Sequence, residues 1–187
     1  MRPSLDLAKK VLPAPLLKAL RRMFEQRLDG CMLVGGTALA GFYAGHRRSD
    51  DLDVFTQGGT SQTAAVRAAR SLESLGARVD VRQNSESYFR ARCALDGHDF
   101  TVDVSAAPPA FRAGRSVALA GGLAVADLDL LLVLKAAALL SRCSEKDLYD
   151  LRWILAHRPA ITMAQLVSSA ASFDAGADAE GLLVSLT

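Results

Sequence analysis

Apolar residues along this chain switch between helical and strand spacing in a regular succession. Leu17, Leu20, Phe24 and Leu28 share one stripe and predict a helix over 16–28, after a charged, proline-punctuated leader over 1–15 read as an extended approach. The apolar run 31–34 predicts a buried strand that enters a tight turn at Gly35-Gly36. Ala38, Leu39, Phe42 and Tyr43 then recur at helical spacing, so a helix is expected from Thr37 to Gly45. Alternation marks 51–55 as a strand, and an amphipathic helix over 61–75 follows, ended by Gly76. Three strands are expected at 78–81, 88–95 and 98–104, the last two joined by the hairpin signal Asp96-Gly97. Prolines and glycines make 108–124 irregular, and the most apolar helix is expected over 126–141. A charged helix from Ser144 to His157, a last helix over 161–172 and a loosely ordered tail complete the chain.

Composition fits a compact protein. At 187 residues one unit is expected, with a core over 1–124 and a helical segment over 125–187. Hydrophobic residues make up 50% and charged residues 22%, which is enough apolar surface for a core and excludes a disordered chain. The net charge of +2 makes no case for nucleic acid, and the arginines at Arg21-Arg22, Arg47-Arg48 and Arg90/Arg92 read as solvated faces. Cys31, Cys93 and Cys143 lack metal-ligand spacing, so reduced thiols in a cytoplasmic protein are expected. The beginning of the chain has no apolar signal core, and the longest apolar run, 128–140, is interrupted by Lys135; neither secretion nor membrane insertion is expected.

Candidate chemistry concentrates in residues 33–55. Gly35-Gly36-Thr37 opens a helix whose free N–H groups and positive dipole end suit an anion. The Thr37 hydroxyl can cap that helix or donate to a phosphate oxygen, although such a triplet also serves as an ordinary turn. Asp51 and Asp53 project together from their strand, while Asp50 falls on the side of Leu52 and Val54. Two carboxylates on one face repel unless a cation or water lies between them, and Mg²⁺ takes one or two carboxylates with waters and phosphates. A solvated edge strand is the alternative. Asp103 lies on the polar face of the last predicted strand and is favoured over Asp99 because it sits deeper in the run. Lys135, on an apolar stripe, must snorkel or reach a partner, and its functional reading is a nucleotide phosphate. Asp147 and Asp150 share a helix face and by themselves read as acids complementing the helix dipole.

Gly36-Thr37, thirteen intervening residues and Asp51-Leu52-Asp53 resemble the signature of the DNA polymerase β-type nucleotidyltransferase superfamily, with Thr37 where serine is common. The fuller set is more specific. Gly35 to Leu39, Gly45-His46-Arg47, Ser49, Asp51-Leu52-Asp53, Lys135 and Lys146-Asp147-x-x-Asp150-Leu151 look like the abortive-infection AbiEii/AbiGii toxin family. The resemblance implies an α/β (α+β) fold, a small mixed sheet flanked by helices with a C-terminal helical segment. It implies transfer of a nucleoside monophosphate from an NTP to a hydroxyl acceptor, with Asp51, Asp53 and Asp103 holding Mg²⁺ or Mn²⁺. Asp51, Asp53, Asp103, Lys135 and Asp147 would be catalytic, and Gly35, Gly36, Thr37, Arg47, Ser49, Lys135 and Asp150 would meet the nucleotide. RNA such as tRNA is the favoured acceptor and a cognate antitoxin the implied partner, in a type IV toxin–antitoxin or abortive-infection system. The alternatives are a non-catalytic module on the same fold, which three retained acids oppose, and a transferase acting on a protein or small molecule.

Overall fold

Strand alternation in the sequence becomes β1 (Cys31–Val34), β2 (Asp51–Thr56), β3 (Arg78–Asn84), β4 (Tyr88–Leu95) and β5 (His98–Ala106) in a computed structural model, which describes residues 1–142 and 144–173. Two short strands, β6 (Ser116–Ala118) and β7 (Ala124–Ala126), complete one seven-stranded mixed sheet in the order β3-β4-β5-β2-β1-β7-β6. The β2–β5 and β1–β7 pairs are parallel and the other pairs antiparallel.

The sheet has two unlike faces. Leu33, Leu52, Val54, Phe89, Ala91, Val102 and Val104 point to one side and are fully buried under α2 (Ala14–Phe24) and α3 (Gly59–Arg70). Gln62 of α3 pins that layer, donating to the Val104 carbonyl at 3.0 Å and accepting from the Thr56 hydroxyl at 2.8 Å. Burying those apolar side chains is the main driving force for the layer, at roughly 1.5–3 kcal/mol for each large residue. The other face carries Asp51, Asp53, Thr101, Asp103, Tyr88, Arg90 and Arg92, and it stays open over β2 and β5.

Beyond β7, α5 (Leu128–Arg142) packs against α6 (Glu145–His157) and α7 (Met163–Phe173). The Leu33–Val125 pair between β1 and β7 brings α5 beside the glycine turn. Tyr43 fastens the helix after that turn to the end of β7 by donating to the Ala126 carbonyl at 2.9 Å.

Several expectations need correction. The leader is not wholly extended: residues Leu5–Val11 form α1, with Ser4 Oγ accepting from the Leu7 N–H at 3.2 Å. Leu12, just beyond α1, backs the glycine-turn helix so closely that a Cβ on Gly41 would lie 2.8 Å from it. Seven residues rich in charge hold too few apolar positions to show the period. The stretch 108–124 is not simply irregular. It forms α4 (Pro108–Ala113) and the β6–β7 hairpin, turned by Gly121 and Gly122 at positive φ. The predicted helix over 16–28 stops at Phe24, and that over 61–75 tightens after Arg70 until Gly76 ends it. Cys31 and Cys93 are free and buried, and burial pushes both thiols up to about 11, which keeps them protonated. The expectations for Cys143 and for the tail after Phe173 lie outside the described residues.

Candidate active site

The two glycines after β1 open space in different ways. Gly35 has φ +71°, and a Cβ there would fall on the Asp53 carboxylate, 2.8 Å from its Cγ. Gly36 has helical backbone, so its need is room: a Cβ would come within 2.6 Å of Arg47 Nη2 and 2.8 Å of Ser49 Oγ. The helix that follows, Thr37–Ala44, is the wide i→i+5 kind, closed by the Gly45 N–H donating to the Ala40 carbonyl at 2.8 Å. Such turns recur at functional sites because they re-aim the flanking residues. Here Gly45, at φ +63°, turns the chain so that Arg47 points back toward the glycine turn.

Thr37 does not offer its hydroxyl to a phosphate as expected. It is fully buried and donates to the Asp51 carbonyl at 2.5 Å. The residue ties the start of the helix to the start of β2, which fixes where the first aspartate stands.

Register brings the acids together. β2 and β5 pair in parallel, with Asp51 beside Thr101 and Asp53 beside Asp103, and paired residues share a face. Asp99 lies on the same face but opposite Ala94, near the far end of its strand, so Asp103 is the acid level with Asp53. Thr101 Oγ1 donates to Asp51 Oδ1 at 2.6 Å. Arg90 reaches Asp103 with Nε at 2.9 Å and Nη2 at 3.3 Å, and Tyr88 Oη donates to the same carboxylate. Burial and that hydrogen bond push the Tyr88 phenol up to about 12. Tyr88, Arg90 and Thr101 were not in the predicted set. The hairpin could have found two of them, since counting back from the Leu95–His98 pair puts Arg90 opposite Asp103 and Arg92 opposite Thr101.

The helical segment adds a buried ionic cluster. Asp150, with no exposure, accepts from Arg47 Nε at 2.6 Å and Nη2 at 2.7 Å. His46 Nε2 and Lys135 Nζ lie at 2.8 and 2.7 Å from the same carboxylate. Lys135, only 5% exposed, also reaches Asp147 Oδ1 at 2.8 Å. Burial alone would raise the Asp150 carboxyl, but the Arg47 and His46 hydrogen bonds and the Lys135 ammonium outweigh it and hold it well below the usual carboxylate range. Lys135 therefore reaches partners inside the protein, and it neither snorkels nor stands free.

A cavity of about 540 Å³ gathers Gly36, Arg47, Ser49, Asp51, Asp53, Asp103, Lys135 and Asp147 into one wall. Gly35, Thr37 and Asp150 do not line it and act through the residues they hold or make room for. Among the described residues no group of three or more His, Cys, Asp or Glu side chains is arranged around one ion position. The Asp103 carboxylate already meets Arg90 and Tyr88. Asp51 and Asp53 still fit Mg²⁺, which needs only one or two carboxylates when substrate phosphates and waters fill its octahedron.

Residues 18–180 match the family described as nucleotidyl transferase AbiEii toxin, type IV TA system. Among solved structures, JHP933 from Helicobacter pylori superposes with a TM-score of 0.60 at 18% identity, covering 94% of this chain and 90% of that one. MenT4, a nucleotidyltransferase toxin from Mycobacterium tuberculosis H37Rv, gives a TM-score of 0.53 at 17% identity over 88% of this chain and 66% of that one. The Megavirus polyadenylate synthase gives 0.51 at 13% identity over 83% of this chain and 34% of that one. At these identities the likeness to solved structures is one of fold. No curated protein sequence matches the chain.

Proposed function

We propose, for a chain that belongs to the AbiEii family of nucleotidyltransferase toxins of type IV toxin–antitoxin systems, that its open sheet face moves a nucleoside monophosphate from an NTP to a hydroxyl of an RNA acceptor with the help of Mg²⁺. The observation that carries this reading is the in-register set of Asp51, Asp53 and Asp103 across β2 and β5, lining one cavity with Gly36, Arg47 and Ser49. Asp51 and Asp53 are the residues to hold the metal. Bound Mg²⁺, or Mn²⁺ in its place, supplies neutralisation of the triphosphate and a more acidic attacking hydroxyl.

The chain's own groups do the rest. Arg47, oriented by its two-point clamp on Asp150, meets the phosphates beside Gly36 and Ser49. Asp103, held by Arg90 and Tyr88 at the level of Asp53, orients the attacking hydroxyl. Lys135, shared between Asp147 and Asp150, keeps Asp147 at the cleft wall. The acceptor oxygen bonds to the α-phosphorus as the bond to pyrophosphate breaks, and the hydroxyl proton passes to the Asp103 carboxylate. The same reading gives the protein a cognate antitoxin and a cytoplasmic place of action. None of the described helices is long and apolar enough to cross a membrane.

The test is incubation with each labelled NTP and Mg²⁺ in the presence of total RNA or total protein. RNA should take up label, and an Asp51→Asn/Asp53→Asn protein should transfer none. Label entering only the protein pool would overturn the RNA acceptor, and full transfer by the double variant would overturn the metal site.

A further inference from the structure

A second cavity of about 450 Å³ adjoins the cleft and shares Arg47, Glu145 and Lys146 with it; Leu148, Tyr149 and Arg152 complete its lining. Its surface is unusual for this molecule. Leu148 and Tyr149 are 39% and 48% exposed, and apart from Met1 they are the large hydrophobic side chains that stand out in solvent among the described residues. Exposed apolar side chains beside a polar cleft mark a binding surface more often than chance.

The Tyr149 ring is also backed and held. His46 stacks against it with centroids 5.1 Å apart and planes 27° apart, and Trp153 leans on the same imidazole at 5.8 Å. Trp153 in turn stacks on His157 at 4.1 Å, so residues one helical turn apart on α6 form a continuous aromatic ladder. His46 is tied to Asp150 through Nε2, which locks the ladder to the same carboxylate that orients Arg47. The result is a rigid aromatic plate facing a cavity whose wall carries Arg47, Lys146 and Arg152 against a single acid, Glu145.

We propose that this cavity takes the nucleobase of the NTP, stacked on Tyr149, while the phosphates lie across Arg47 in the main cleft. The inference rests on the nucleotidyltransferase reading of that cleft and adds where the base goes. Two observations favour the base of the bound nucleotide over a base of the acceptor. The cavity has the size of a small-molecule site, and it opens onto the phosphate-binding side through Arg47. A further cavity meets the cleft at Asp51 and Thr101, lined by Arg78, Arg82 and Arg92 together with Asp50, Asp80 and Asp99, so the cleft has a second opening that does not cross Tyr149. Stacking is tolerant of base identity because every base has a π-face, so the plate by itself gives affinity, and a hydrogen bond donated by Arg152 or accepted by Glu145 would add any preference.

The experiment is calorimetric titration of the full chain with each NTP and, separately, with inorganic tripolyphosphate, both with Mg²⁺. Tyr149→Ala should weaken NTP binding by roughly 5- to 150-fold, the range for losing one base–aromatic stack, and leave tripolyphosphate binding unchanged. Tyr149→Phe and Tyr149→Trp should keep the parent affinity. Because the side chain is half exposed, thermal unfolding of these variants should stay close to the parent. Unchanged NTP affinity in Tyr149→Ala overturns the proposal, as does an equal loss for tripolyphosphate. A variant with parent NTP affinity and a raised KM for RNA alone overturns it in favour of an acceptor base. Failure of the parent itself to bind any NTP would overturn the cleft assignment as well, so the two readings fail separately.

Discussion

A single hydrogen at Gly35 leaves room for the Asp53 carboxylate, and that contact was not legible from the glycine pair. Gly35→Ala puts a Cβ where the carboxylate lies and forces a left-handed backbone on alanine, which costs about 1–2 kcal/mol by itself. Displacing a catalytic group by about 1 Å costs on the order of 100-fold, so nucleotidyl transfer should fall at least that far while the protein still unfolds cooperatively. Parallel measurements of turnover and thermal unfolding check it, and a Gly35→Ala enzyme of parent activity would sink the steric account. The aspartates themselves were legible, since a period of two puts Asp51 and Asp53 on one face and a later polar strand supplies Asp103. Thr37 was misread because a hydroxyl at a helix start can turn inward as readily as outward, and only the placement of β2 decides. Lys135 changes most. On sequence alone, Lys135→Met replaces an amine on an apolar stripe and looks mild. With Asp147 and Asp150 both against that amine in the interior, the same change takes a cation out of a buried ionic cluster. It should destabilise by roughly 3–5 kcal/mol, and Lys135→Met/Asp147→Leu should recover part of the loss. Urea unfolding of the three proteins decides, with a fully stable Lys135→Met as the contrary outcome.

At the scale of elements, long periodic segments were readable and short ones were not. β4 and β5 give eight and nine residues of alternation around a strong turn, whereas β6 and β7 give three each and exist because β1 leaves a strand edge to be paired. The joint between α6 and the His46-Arg47 turn could not be read at all, because its partners lie about a hundred positions apart in the chain. That joint carries a pH signature. The Asp150 carboxyl is held in the folded protein well below the usual carboxylate range, so the unfolded chain takes up the proton first as pH falls. Its contribution to stability is complete above the unfolded carboxylate's value, declines below about pH 4, and is lost as pH falls through the folded value. Asp150→Asn should therefore be much less stable than the parent at pH 6–7, and the gap should narrow toward pH 3. Denaturant midpoints at several pH values test this, and a gap that stays constant with pH would remove Asp150 from the account.

On the scale of the whole molecule, one sheet separates stability from function. The apolar face under α2 and α3 holds the core, and the open face carries the acids, so the site can lose charge without losing the fold. The same division explains why fold and chemistry were readable together, since strands with apolar residues on one side and acids on the other announce both. It also sets a test of the intact protein. A ligand that binds only the folded state adds about 2.7 kcal/mol at a hundredfold excess over its Kd. For a chain of this length each kcal/mol raises the midpoint by about 2–4 °C, so saturating NTP with Mg²⁺ should raise it by roughly 5–10 °C. Either ligand alone should do less, because Asp51 and Asp53 need the phosphates to complete the metal's coordination. In Asp51→Asn/Asp53→Asn the ligand-free midpoint should not drop, since two like charges on one strand face have been removed, and the joint effect of NTP and Mg²⁺ should vanish. A full shift retained in that variant would place the nucleotide elsewhere on the molecule.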